Sequence, residues 1–310
     1  MKRNIKNKIT PLCLGTVQLG IKYGIANQTG KPDVEVGHDI LQKAIDLGVT
    51  TWDTSRHYGD SEGVIGSFLD NSTYEPLLIS KFKWSNGALQ DPLVATKEAF
   101  AHVQQSLRTL KRNSLPLMLY HTDKDQNICD VMSILPSVLA SLKDEGYIEE
   151  GGISLYYPED INHILDVEQI AAVQVPMNVF DQRLLTNNIM QKLIDSQKCV
   201  FARSVFLQGL FFLGADEIPP NLNAARPYLA ELNYLAKQAD MTVAQFAFAF
   251  IRDIDGVDSV IFGADNANQV EQNVQLLNTP SIPEEIRERA ENIFQQMDEK
   301  IITPGLWSIS

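Results

Sequence analysis

Three consecutive pieces of the chain decide the fold: LLISKF (Leu77–Phe82), ATKEAFAHVQQSLRTLK (Ala95–Lys111) and LMLYH (Leu117–His121). The first and third are short apolar runs, the mark of strands covered on both faces, whereas the middle one repeats its apolar residues at the helical period. Strand, helix and strand in that order form one parallel β/α unit. The same alternation extends in both directions. Further strands are expected at Leu12–Thr16, Val49–Thr54, Gly151–Ser154, Ala171–Val175, Val200–Ser204 and Ser259–Ala264, which brings the number to eight. Helical patterns separate them at Val36–Gly48, Ser61–Asp70, Cys129–Gly146, Pro158–Asp166, Leu184–Lys198 and one long stretch, Arg226–Asp253, with Asn266–Leu277 after the last strand. Gly48 and Gly146 suit left-handed C-caps that end a helix ahead of the next strand.

Eight such units in 310 residues predict an α/β fold, the closed (β/α)8 TIM barrel, as a single domain over residues 1–310 with a tail at about 281–310. An open dinucleotide-binding sheet fits less well. The turn after the first strand, LGTVQLG, lacks the GxGxxG spacing and runs into a polar stretch instead of a helix. Two longer segments, Phe211–Ala225 and the tail after Pro280, are expected to cover a site.

Charge narrows the function. The 26 basic and 39 acidic residues leave a net charge of −13, which repels nucleic-acid phosphates and anionic membrane surfaces, so neither is an expected partner. The basic start MKRNIKNKIT leads into no cleavage site, and the longest apolar run, Val243–Ile251, is far short of the ~20 residues of a membrane span. A cytoplasmic enzyme is expected. Cys13, Cys129 and Cys199 form no CxxC pair and read as buried free thiols; neither a disulfide framework nor a metal site is suggested.

Barrels of this type carry their chemistry at the C-terminal ends of strands and in the loops beyond. Among ionisable residues, that filter selects Asp53, Tyr58, Lys81 and His121. Taken singly, each has a plain structural explanation: Asp as a turn cap, Tyr as loop packing, His as a satisfied core residue. Lys81 is harder to explain away, because an ammonium ending an apolar strand needs a partner such as Asp53 to offset its desolvation. Together the four occupy adjacent strand ends and suit proton donation to a carbonyl oxygen. A phenol is a poor acid at neutral pH, and a neighbouring ammonium favours its ionised form. Lys81 can supply that field, Asp53 can keep the ammonium oriented, and His121 can hydrogen-bond the substrate.

WDTSRHYGDSE (Trp52–Glu62), ISK (Ile79–Lys81) and LYH (Leu119–His121), in this order and spacing, resemble the catalytic tetrad of the aldo-keto reductases. The resemblance spans essentially the whole chain. It implies reduction of an aldehyde or ketone, including a sugar-derived carbonyl, by hydride from NADP(H), with NAD(H) as the competitor and Tyr58 as proton donor. It places Gly15 and Thr16 of the first strand by the cofactor, Ser154 and Gln174 at the nicotinamide carboxamide, and Arg203 against the ring. Ser204, Phe206 and Gln208 fall at the diphosphate, and Gly263, Ala264, Asp265, Gln269 and Asn273 at the adenosine. Two positions depart from the family. Leu155 replaces a common Asn, and NADP-preferring members often carry Lys or Arg where this chain has Gly263, Asp265 and Gln269. Tyr23, Arg56, His57, Trp84 and Trp307 are candidates for the wall of a small-molecule carbonyl pocket, and Arg56 suits an anionic or hydroxylated substrate. Two other functions remain open at this point: a Schiff-base lyase using Lys81, and a cofactor-sensing regulatory subunit.

Overall fold

The computed structural model describes residues 5–70, 72–85, 87–186 and 188–307; the parts of the expected domain at 1–4 and 308–310 lie outside the described residues. Eight strands form: β1 (Leu12–Gly15), β2 (Thr51–Asp53), β3 (Leu77–Phe82), β4 (Leu115–His121), β5 (Ile148–Ser154), β6 (Ala172–Pro176), β7 (Cys199–Arg203) and β8 (Ser259–Gly263). Each runs parallel to the next and β8 closes on β1, giving the (β/α)8 barrel.

Strand alternation sorts the apolar residues into two cores. Cys13, Leu77, Ile79, Leu117, Leu119, Ala172, Cys199 and Phe201, with Ile261, form one cluster. Their neighbours of opposite parity, among them Leu14, Trp52, Leu78, Met118, Tyr120, Val173 and Val200, pack outward with the helices. The first cluster is the barrel interior, since successive side chains of a strand point to opposite faces. Two residues further along each strand, the inward positions become Gly15, Lys81, His121, Gln174, Arg203 and Gly263. Asp53 and Ser154 join this layer by register, Asp53 opposite Gly15 and Ser154 opposite His121 and Gln174. The topmost interior layer is therefore polar, and it caps an apolar plug.

Several connections differ from the sequence reading. Pro158–Asp166 forms a 3-10 segment, Pro158–His163, and no α-helix: with a proline at its start and so short a span, it gains too few i→i+4 bonds. The long stretch Arg226–Asp253 is two helices, Arg226–Gln238 and Val243–Arg252, broken by Asp240 in left-handed conformation and restarted by a capping box between Thr242 and Gln245. The helix expected over Leu184–Lys198 shortens to Ile189–Asp195. Strand β5 begins earlier than read, because Glu149 and Glu150 sit at the barrel's lower rim, where Lys8 and Lys143 pair with them. Gly48 and Gly146 do take positive φ. Cys13 and Cys199 are buried, but Cys129 is exposed: it lies in the first turn of the helix Ile128–Asp144. The tail docks through the helix Glu284–Phe294, whose Phe294 ring lies 4.7 Å from that of Phe180.

Phe201 is the one aromatic side chain in the interior cluster and has no exposed surface. Replacing it with Ala is expected to cost about 3–5 kcal/mol in denaturant unfolding, the range for deleting a buried phenyl ring. A cost below ~1 kcal/mol would mean that the plug is not close-packed.

Candidate active site

The end of β3 brings the Lys81 side chain into the barrel mouth with no exposure to solvent. Each of its three ammonium hydrogens has an acceptor: Asp53 Oδ2 at 2.7 Å, the Thr54 carbonyl at 3.0 Å and Tyr58 Oη at 3.2 Å. An ammonium has three donors and no acceptor, so its requirements are met in full. Burial pushes the Lys81 pKa down, but the Asp53 carboxylate and the Tyr58 hydroxyl together more than offset this and leave it above its ordinary value. The result is a fixed positive charge aimed at a phenol.

Asp53 is held from its other oxygen as well. Gln174 Nε2 donates to Asp53 Oδ1 at 2.8 Å, and Ser154 Oγ donates to Gln174 Oε1 at 3.1 Å. Both residues expected at the nicotinamide carboxamide thus belong to a relay that fixes Asp53. Leu155, next to Ser154, is buried.

Tyr58 stands in the loop after β2, and glycines set its position. A Cβ added to Gly20 would lie 1.6 Å from the Tyr58 carbonyl oxygen; one added to Gly59, where φ is +56°, would lie 2.4 Å from the Gly20 carbonyl oxygen. The two backbones interlock at a distance only glycine permits. Thr16, expected at the cofactor, secures the same loop: its hydroxyl donates to the Asp53 carbonyl at 3.0 Å, and Ser61 Oγ donates to the Thr16 carbonyl at 2.8 Å.

His121 ends β4 with Nδ1 buried and without a partner among the described residues. Burial, then the positive charges of Lys81, Lys83 and Arg203, holds its pKa well below the ordinary 6.5, so the ring is neutral. Arg203 ends β7; its Nη2 donates to the Leu155 carbonyl at 3.2 Å while Nε is buried and without a partner among the described residues.

A cavity of about 850 Å³ opens beside these groups. Asp53, Tyr58, His121 and Gln174 line it on the β2–β6 side, and Asp265, Gln269, Gln272 and Asn273 line it beyond β8. Gly15, Tyr23, Arg203, Ser204, Phe206, Gln208 and Gly263 also contribute to its wall. The volume suits a cofactor-sized ligand. Ser204, Leu207, Gln208 and Gly209 all have positive φ, a backbone habit that gathers N–H groups into anion-accepting concavities. The loop after β1 arches across the cavity. Gln208 Nε2 donates to Tyr23 Oη at 3.0 Å, the Ile25 N–H donates to the Gln208 carbonyl at 3.0 Å, and Asn27 Nδ2 donates to Asp265 Oδ1 at 2.9 Å. Burial above all pushes the Tyr23 hydroxyl up to about 12.

Other candidates lie elsewhere. Ala264 is buried and does not line the cavity. Trp84 is buried with Nε1 donating to the Ala95 carbonyl and its ring 4.5 Å from that of Tyr120; Trp307 is buried with Nε1 donating to the Lys300 carbonyl. Neither lines the cavity, and neither do Arg56 and His57, whose ring meets that of His102 edge-on. The cavity adds residues the sequence reading passed over, including Gln18, Asn27, Thr242, Gln272 and Leu276. Gln272 and Leu276 share a helix face with Gln269 and Asn273, so helical spacing alone could have found them. Gln18 lies in the single helical turn Val17–Gly20 after β1 and Asn27 in the loop that follows, both too short for periodicity to carry a signal.

The barrel, with a buried Lys–Asp pair addressing a tyrosine beside an elongated cavity, agrees with the profile of the aldo/keto reductase family, which matches residues 11–293, and the chain belongs to that family. It is accordingly a nicotinamide-dependent oxidoreductase. Among curated relatives it is 27% identical to the oxidoreductase YqkF of Bacillus subtilis over 297 residues, covering 88% of this chain and 92% of the relative. It is 26% identical to the L-glyceraldehyde 3-phosphate reductase of Escherichia coli K12, covering 86% and 85%. Among solved structures, the holo form of aldo-keto reductase AKR11C1 from Bacillus halodurans matches with a TM-score of 0.74, 22% identity and 92% of each chain covered. The glycerol dehydrogenase AKR11B4 from Gluconobacter oxydans also gives 0.74, at 21% identity, over 100% of this chain and 97% of its own.

Two outcomes follow from the geometry. Gly20→Ala is expected to leave the circular dichroism of the barrel unchanged while lowering turnover by about 100-fold, the scale of an ångström's misplacement of a reacting group; undiminished turnover would contradict the interlock. The second concerns pH. In the unfolded chain His121 takes up a proton near pH 6.5, and in the folded chain only well below that, so the unfolded state binds more protons in between. Stability is then lost on acidification through and below pH 6.5, by up to about 1.4 kcal/mol per pH unit from this residue. Urea titrations of wild type and His121→Gln from pH 7 to pH 5 should diverge by that slope, and parallel curves would count against a buried neutral imidazole.

Proposed function

We propose that the protein reduces an aldehyde or ketone, and by reversibility oxidises the corresponding alcohol, with Tyr58 as the proton donor. The observation that carries this reading is the 3.2 Å contact from Lys81 Nζ to Tyr58 Oη, with the same ammonium bound to Asp53 at 2.7 Å and the phenol facing the cavity. When bound, the reduced nicotinamide supplies hydride to the carbonyl carbon. Tyr58 Oη gives its proton to the carbonyl oxygen, and the Lys81 charge stabilises the negative charge left on the phenol oxygen. His121, neutral, hydrogen-bonds the same carbonyl oxygen and orients it. Arg203 would hold the nicotinamide end of the cofactor, and the loop Ser204–Gly209, with positive φ at Ser204, Leu207, Gln208 and Gly209, would hold its diphosphate.

The substrate is a small hydroxylated carbonyl compound of sugar type. Two names support this class, the L-glyceraldehyde 3-phosphate reductase among the relatives and the glycerol dehydrogenase among the structures. A Schiff base on Lys81 would need a free, uncharged amine, whereas all three of its hydrogens are engaged. Among the described residues no helix is long and apolar enough to cross a membrane, in keeping with a small-molecule enzyme.

Tyr58→Phe is expected to retain nucleotide binding, read by fluorescence titration, and to lose turnover by about 100-fold or more, as removal of a general acid does. Turnover within a few-fold of wild type would exclude Tyr58 as the donor.

A further inference from the structure

The far end of the cavity has a charge that its shape alone does not require. We propose that this protein selects NAD(H) over NADP(H), and that Asp265, placed by Asn27 at the adenosine end of the cavity, rejects the 2′-phosphate. The inference rests on the reductase reading above and reverses the NADP preference that family resemblance carries.

A 2′-phosphate adds about −1.5 to −2 units of charge at neutral pH and, when buried, needs cationic or densely hydrogen-bonding partners. Of the described residues lining the cavity, Arg203 is the sole Arg or Lys, and it ends β7 beside Leu155 and Ser204, on the catalytic side. Beyond β8 the wall is Asp265, Gln269, Gln272 and Asn273. Among the described residues that line that end, a carboxylate is thus the only ionic group.

The carboxylate is also held there. Asn27 Nδ2 donates to Asp265 Oδ1 at 2.9 Å, and the Asp265 N–H donates to Gln269 Oε1 at 2.7 Å. Asn27 is itself anchored, because its side chain spans the turn to Gly30 through Nδ2 to the carbonyl at 3.1 Å and Oδ1 from the amide at 2.7 Å. Turning Asp265 out of the cavity would break the strap as well as its own contacts. A fixed carboxylate accepts a hydrogen bond from a ribose 2′-hydroxyl and repels a phosphate in its place. Gly263 offers no cation in compensation: the Gln18 amide fills the space a side chain there would need, with Nε2 1.9 Å from a Cβ built on the glycine.

The test is a binding titration that does not depend on turnover. Kd values for NADH and NADPH, and for AMP and adenosine 2′,5′-bisphosphate as half-ligands, are measured by fluorescence and calorimetry. The proteins are wild type, Asp265→Asn, Asp265→Arg and Asn27→Ala. Wild type is expected to bind NADH, and AMP, about 10-fold or more tightly than its 2′-phosphorylated counterpart, with the ratio shrinking as salt rises. Asp265→Asn should bring the ratio close to one and Asp265→Arg should invert it. Equal or tighter binding of NADPH by wild type would overturn the inference while leaving the reductase reading intact. So would a ratio unchanged in Asp265→Asn; Asn27→Ala frees the carboxylate but keeps its charge and should shift the ratio less than Asp265→Asn does, and a larger shift would put the effect in the strap and not the charge. Failure of all four ligands to bind would overturn both readings.

Discussion

An ammonium with no access to water, as at Lys81, survives in a folded protein only when a counter-charge and a full set of acceptors replace its hydration. Asp53, the Thr54 carbonyl and Tyr58 supply that set, and each comes from β2 or the loop that follows it. The pair therefore does more than carry charge. It stitches β3 to the β2 loop at the height where the apolar plug of the barrel ends. Removing either ion would strand the other, at a cost on the order of 3–5 kcal/mol. The relay from Ser154 through Gln174 extends the same constraint across the barrel mouth to β5 and β6. Four strands thus agree on the position of one carboxylate.

Division of labour follows from strand order. The groups proposed to handle the proton come from β2, β3 and β4, and the cavity wall beyond them comes from β6, β7, β8 and the loop after β1. Closure of β8 on β1 puts the two halves face to face around one mouth. The interlocked glycines Gly20 and Gly59 lie where the segments after β1 and β2 meet, so the loop that carries Tyr58 is registered against the loop that roofs the cavity.

Much of this was legible in the sequence, for identifiable reasons. Inward-facing positions recur every second residue, so LLISK and LMLYH announce a polar residue at the inner end of an apolar strand. That periodicity locates Lys81 and His121 without knowledge of any contact. It also locates Gln174, yet leaves its partner undetermined: an amide at a strand end can face a ligand or a neighbouring carboxylate, and register across β5, β6 and β2 decides for Asp53. Trp84 and Trp307 were unreadable for a related reason. Loop side chains take their direction from tertiary packing, and both indoles found backbone carbonyls, of Ala95 and Lys300. The split at Asp240 was in principle legible from the Thr242–Gln245 capping box, but the apolar period ran on through it.

The strap formed by the loop after β1 also carries a kinetic consequence. Three hydrogen bonds close it, from Gln208 to Tyr23, from Ile25 to Gln208 and from Asn27 to Asp265. At a net ~0.5–1.5 kcal/mol each, they hold closed over open by roughly 10:1 to 2,000:1. A dinucleotide bound in this cavity as proposed would wait on that open minority both to enter and to leave. Association and release would then slow by the same factor, leaving affinity where the cavity sets it and lengthening the residence of each bound molecule.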